Sequence, residues 1–135
     1  MLPFDTDEYS RWLGQAKHTL GSAERDTAEG DFDWACFKAQ QAGEYALKAL
    51  LRGFGKPAYG HSLTRLLGQL GEAGLEPDGV ASAGQLLDRH YIPTRYPDAY
   101  AEGSPHEYYD DPTAREAQRA AAHIIDWVER AYPGA

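Results

Sequence analysis

DWACFKAQQAGEYALKALLRGF, residues 33–54, has the periodicity of an amphipathic helix. Turned at about 100° per residue, its side chains separate into two sides. Ala35, Cys36, Ala39, Ala42, Gly43, Ala46, Leu47, Leu50 and Phe54 share one, while Phe37, Gln40, Gln41, Glu44, Tyr45, Lys48 and Arg52 gather on the other. The apolar side is rich in small residues, so a neighbouring helix can approach closely. That predicts a central helix, with Asp33 as its N-cap and Gly55 beyond its end.

The helical pattern continues on both sides of this stretch. From about Asp7 to Glu29, Trp12, Leu13, Ala16, Leu20 and Ala23 recur at three- and four-residue steps, and Gly30 follows as a stop signal. From about Leu63 to Ala73, Ser62 caps a stripe of Leu63, Leu66, Leu67 and Leu70. A shorter helix is expected from about Ala83 to Tyr91, where Ser82-Ala83-Gly84-Gln85 has the form of a capping box and Ile92-Pro93 a stop. The last helix runs from about Pro112 to Tyr132, with Asp111 as N-cap, proline at the first helical position and Pro133-Gly134 at its end. No strand pattern, internal repeat or low-complexity segment interrupts the series. The chain reads as all-α.

At 135 residues it is long enough for one domain, residues 1–135, with a real core. A charged fraction of 25% reads as globular, and no apolar run approaches the ~18 residues that suggest a membrane span. The first residues lack a signal-peptide pattern and the single cysteine cannot form an internal disulfide, so the cytoplasm is expected. A net charge of −8 argues against coating nucleic acid by bulk attraction. The charge is uneven: residues 1–37 balance at −5, whereas residues 38–65 hold five basic groups against Glu44 alone, a balance of +4. This island could hold an anion locally, or be an uneven solvated surface.

Tyr91-Ile92-Pro93-Thr94-Arg95-Tyr96-Pro97-Asp98 is the second informative stretch. Two prolines four residues apart are expected to hold it extended around Arg95 and Tyr96. It begins a connection of about residues 92–110, longer than usual for a compact domain and aromatic enough to argue against disorder. Arg95 can clamp a phosphate or carboxylate, or fasten the loop through a salt bridge to Glu44 or Asp98. Glu44 and Lys48, at i,i+4, are either an exposed ion pair worth ~0.3–0.5 kcal/mol or part of a groove wall with Gln41 and Arg52 near His61 and Arg95. His61, between Gly60 and Ser62, either satisfies a helix end or donates to an anion.

Other chemistries find little support. The five histidines show no metal-ligand spacing, so no metal site is expected. Arg52-Gly53-Phe54-Gly55-Lys56 lacks the glycine spacing and Ser/Thr ending of a P-loop. Cys36 falls on the apolar side and reads as a core residue.

Four pieces together resemble the HEPN domain family: the run at 39–51, Gly60-His61-Ser62-Leu63, the Arg95 loop and the Ala-rich last helix. The resemblance covers about Tyr9 to Val128. It implies an up-and-down bundle of four main helices with an additional short one, forming a homodimer. It also implies a nucleotide or RNA phosphate as ligand, a nucleotidyltransferase-type partner in a toxin–antitoxin-like pair, and no cofactor or membrane. By position, Gln41, Glu44, Lys48, His61, Arg95, Tyr96 and Asp98 are its candidate ligand-binding residues. Ribonuclease members place a histidine after an arginine with four to six residues between, at the start of the last long helical region. Here ten residues separate Arg95 from His106, seven separate Arg115 from His123 and three separate Arg119 from His123. A divergent metal-independent ribonuclease would draw on Arg95, His61 or His106. A purely structural interaction module is the third reading.

Overall fold

The computed structural model describes residues 3–134. Five helices follow in order: α1 (Thr6–Glu29), α2 (Phe32–Gly53), α3 (Leu63–Glu72), α4 (Ala81–Asp88) and α5 (Asp111–Ala131). The described residues contain no strand. The fold is an all-α, up-and-down bundle with α4 as its short member.

Gly30 ends α1 in the left-handed conformation, at φ 85°, and its N–H returns to the α1 carbonyls. So short a turn leaves α2 only an antiparallel course along α1. As the small-residue stripe predicts, α2 is central: it touches every other helix. At Gly43 the approach is close. A Cβ there would fall 2.7 Å from Leu63 Cδ2, 3.0 Å from Leu87 Cδ1 and 3.6 Å from Ile124 Cδ1. Four helices therefore meet around one missing methyl group. Leu47, Leu50, Leu66, Leu70, Leu87, Ile124 and Val128 fill the adjoining core with no exposed surface. Each such side chain contributes about 1.5–3 kcal/mol relative to exposure. Cys36 lies in this core, where burial, with Asp33, Asp110 and Glu116 nearby, pushes its thiol up to about 12. That environment disfavours the thiolate.

The helix starts differ from the sequence expectation in three places. α2 begins after Asp31, which places Asp33 in its first turn. α5 is capped by Asp110, whose carboxylate accepts from Thr113 N at 2.9 Å, and Asp111 is already helical. Ser82 caps nothing: a 3-10 turn at Pro77–Val80 leads straight into α4, so the chain is helical before Ser82 is reached. α4 also stops at Asp88, short of Tyr91. A capping box does form, at Ser104 and Glu107 in the 92–110 connection.

Candidate functional site

The row Gln40, Glu44, Lys48 on α2 faces protein rather than solvent. Gln40 is fully buried, and the Lys48 and Glu44 side chains are 10% and 5% exposed. The turn carrying His61 bonds to this row, and a second turn, Tyr91–Arg95, packs on His61 and Phe37. The first turn depends on Gly60, at φ 85°, which reverses the chain toward α2. α3 then starts with two caps. Ser62 Oγ accepts from Arg65 N at 3.2 Å, and Asp88 of α4 accepts from Leu63 N at 2.7 Å and Thr64 N at 3.1 Å. Gln40 fastens the turn from below, its Nε2 donating to the His61 carbonyl at 3.0 Å.

His61 thereby comes over Glu44. Its Nδ1 lies 3.1 Å from Glu44 Oε1, and Lys48 Nζ donates to Glu44 Oε2 at 3.0 Å. Gln40 Nε2 and Gln41 Nε2 add contacts at 3.2 and 3.4 Å. A carboxylate this deep is tolerated because lysine, imidazole and amide donors replace its water. With Nδ1 donating to the carboxylate, the neutral imidazole holds its lone pair on Nε2. That atom has no partner within the described residues, and His61 is an exposed residue.

The second turn departs from the extended stretch that the prolines predict. Thr94 Oγ1 donates to the His90 carbonyl at 2.7 Å, and Arg95 Nε and Nη2 donate to the Tyr91 carbonyl at 3.0 and 2.6 Å. Both side chains reach back four residues and fold the backbone into a turn that Pro93 accommodates. Tyr96, before Pro97, is extended, at φ −115° and ψ 118°.

Arg95 forms no salt bridge with Glu44 or Asp98; aromatic rings and a carbonyl hold it instead. Its guanidinium carbon lies 4.2 Å from the Phe37 ring centre, 4.6 Å from Tyr91 and 4.9 Å from Tyr96. Nη1 also reaches the Tyr96 hydroxyl at 3.4 Å. Two of the five guanidinium N–H groups remain uncommitted. His61 stacks on Tyr91, with ring centres 4.5 Å apart and planes 17° from parallel. One tyrosine ring thus carries both the Glu44-held imidazole and the guanidinium. Trp34, against Phe37, and Tyr96 leave about half their surfaces in solvent around this face.

Of the residues singled out from sequence, Gln41, Glu44, Lys48, His61, Arg95 and Tyr96 form a continuous network. Asp98 and His106 do not join it. Asp98 is exposed on the 3-10 turn Pro97–Ala99, and His106 on the turn Pro105–Tyr108, neither bonded to the network. Sequence reading missed Gln40, Phe37, Tyr91 and Asp88 as site residues. Phe37 and Tyr91 carried a usable signal, being aromatic residues on the polar side of α2 and beside the arginine loop. Among the described residues, no group of three or more His, Cys, Asp or Glu is placed to hold a metal ion, and no helix is long and apolar enough to cross a membrane.

Comparison with solved structures places this architecture among known helical proteins. TT1696 from Thermus thermophilus is 43% identical, with a TM-score of 0.87 over 90% of this chain and 96% of that one. ST0689, an archaeal HEPN homologue, is 35% identical, with a TM-score of 0.77 over 96% and 98%. A HEPN domain protein of Thermotoga maritima is 32% identical, with a TM-score of 0.71 over 89% and 95%. No curated protein matches. The HEPN domain model matches residues 9–131, which contain α2 to α5, both turns and nearly all of α1. The chain belongs to the HEPN domain family.

Proposed function

We propose that the face built from His61, Tyr91, Arg95 and Tyr96 binds a phosphate group of a nucleotide or RNA. The protein would act as a homodimer beside a nucleotidyltransferase-type partner in a toxin–antitoxin-like pair. The observation that carries this reading is the shared Tyr91 ring. It brings together an imidazole with a free Nε2 and a guanidinium with two free N–H groups. Both can donate to a phosphate oxygen, His61 when protonated, and the exposed Tyr96 and Trp34 rings can take a base. Lys48, Gln40 and Gln41 act indirectly, holding Glu44 under His61. Calorimetric titration with mononucleotides and short single-stranded RNA tests this. Saturable binding should weaken at least about tenfold in Arg95→Ala. No heat with any ligand, or equal affinity in the variant, overturns it.

The carboxylate–imidazole pair favours one second reading, a metal-independent ribonuclease. His61 Nε2 would accept the 2′-hydroxyl proton while that oxygen attacks the adjacent phosphorus. The P–O5′ bond breaks, the departing oxygen takes a proton from solvent, and Arg95 stabilises the added negative charge. A cleavage assay that gives equal activity for wild type, His61→Gln and Arg95→Ala would sink this reading.

A further inference from the structure

Arg52-Gly53-Phe54-Gly55-Lys56 lacks the form of a phosphate loop, yet its last residue has a defined place. Gly55, at φ 73°, turns the chain at the end of α2. Gly55 N donates to the Arg52 carbonyl at 3.0 Å and Lys56 N to the Leu51 carbonyl at 2.9 Å. These bonds fix the backbone from which the Lys56 side chain leaves. Between this turn and α3 lies a hollow of about 350 Å³, lined by Leu51, Lys56, Pro57, Gln69 and Glu72. Gln69 and Glu72 are three residues apart on α3 and so share a face. Lys56 and Glu72 are opposite in charge and line one hollow, but they form no ion pair with each other or with any other described residue. Elsewhere on the surface opposite charges do pair, as Arg115 with Asp111 and Lys17 with Glu129. The Gln69 side-chain amide, also unbonded among the described residues, adds a donor and an acceptor to the same wall.

We infer that this hollow is a second binding site, for a free α-amino acid with an apolar side chain. A zwitterion answers both lining charges at once. Its carboxylate accepts from Lys56 Nζ and its ammonium donates to the Glu72 carboxylate, each as a charge-assisted hydrogen bond. A ligand with one charge satisfies one of these groups and is repelled by the other. The Gln69 amide can bond either end of the zwitterion, and Leu51 and Pro57 supply apolar wall for the side chain. The volume falls inside the ~300–1,000 Å³ of small-molecule sites. This inference does not depend on the phosphate reading, because no residue is shared.

Proton–nitrogen NMR of the backbone amides tests it with leucine as the probe. Leucine should shift Lys56, Gln69 and Glu72 saturably and leave Tyr91–Tyr96, on the His61 face, unmoved. 3-Methylbutylamine, which lacks the carboxylate, and 4-methylpentanoate, which lacks the ammonium, should each bind at least about tenfold more weakly. Lys56→Gln should cost leucine at least about tenfold and leave 3-methylbutylamine no weaker. Glu72→Gln should cost leucine the same and leave 4-methylpentanoate no weaker. Both positions are exposed, so the fold of each variant is retained. The inference is overturned by the absence of a saturable shift with leucine, by either analogue matching leucine, or by unchanged leucine affinity in either variant.

Discussion

Lys48→Met distinguishes a buried Glu44 anchor from a surface ion pair. The substitution keeps the length and apolar stem of the lysine and removes its charge. Glu44, 5% exposed, then loses the cation 3.0 Å away and keeps only His61 and the two glutamine amides. Removing one partner of a buried pair costs about 3–5 kcal/mol, because the remaining charge stays desolvated. An exposed i,i+4 pair costs only ~0.3–0.5 kcal/mol. For a domain of this size, melting temperature moves roughly 3–5 °C per kcal/mol. The expected loss is therefore on the order of 10–20 °C, against about 2 °C for a surface pair. Urea unfolding followed by circular dichroism should give a lower midpoint at unchanged slope. Adding Glu44→Gln should recover at least half of the loss, since an uncharged pair no longer needs the lysine. A midpoint for Lys48→Met close to wild type, or a double variant no more stable than the single one, would refute the buried-anchor reasoning.

Three further outcomes follow from the packing. Asp88→Ala removes the carboxylate that accepts from Leu63 N and Thr64 N, and should cost about 1–2 kcal/mol in urea unfolding. It should also raise amide exchange at Gly60–Thr64, which a remote destabilisation would not do selectively. Gly43→Ala gains about 1 kcal/mol of helix propensity but drives a methyl group to 2.7 Å from Leu63 Cδ2. Net destabilisation of about 1–3 kcal/mol is expected, and a more stable variant would refute the close approach of α2 to α3. Burial holds the His90 pKa below its ordinary value, with Arg89 acting in the same direction, Glu116 opposing, and the Tyr109 hydroxyl 3.4 Å from Nδ1. The unfolded chain then binds the extra proton first, so stability should fall as pH drops from about 6.5 toward the lower folded value. His90→Gln should flatten that slope, and an unchanged slope would assign it to other groups.

The helices were readable because their signal is local. In α2, Ala39, Ala42, Gly43, Ala46 and Leu50 recur at helical spacing, and all of them are buried. The caps were less readable where acids cluster. Asp110 and Asp111 are equal candidates on paper, and only the extended backbone of Asp110, at ψ 173°, allows it to cap. Asp31 takes the N-cap position of α2 at φ −90° and ψ 68°, without a side-chain cap bond, and Asp33 is already helical.

The candidate site was legible by residue type and illegible by burial. Periodicity separates the two sides of a helix but does not say what covers the polar one. Gln40 and Glu44 bond to the His61 turn, which has no periodicity of its own. The positions of this turn and of Tyr91–Arg95 depend on bonds that no spacing rule anticipates: Asp88 capping a helix 25 residues earlier, Gln40 holding the His61 carbonyl, and Arg95 closing onto Tyr91. The prolines of the Arg95 loop pointed to an extended segment, yet the turn around Pro93 is closed by Arg95 N donating to the Ile92 carbonyl and by two side chains reaching back to carbonyls. The same bonds alter the role that Arg95 can take. Three of its N–H groups are committed to the loop, so it meets a ligand with only its outer edge. A phosphate held by Arg95 would meet that edge, on the tyrosine ring that also stacks with His61. Loop anchoring and ligand contact are thus consistent roles for one guanidinium, and stability and affinity should both fall when it is removed.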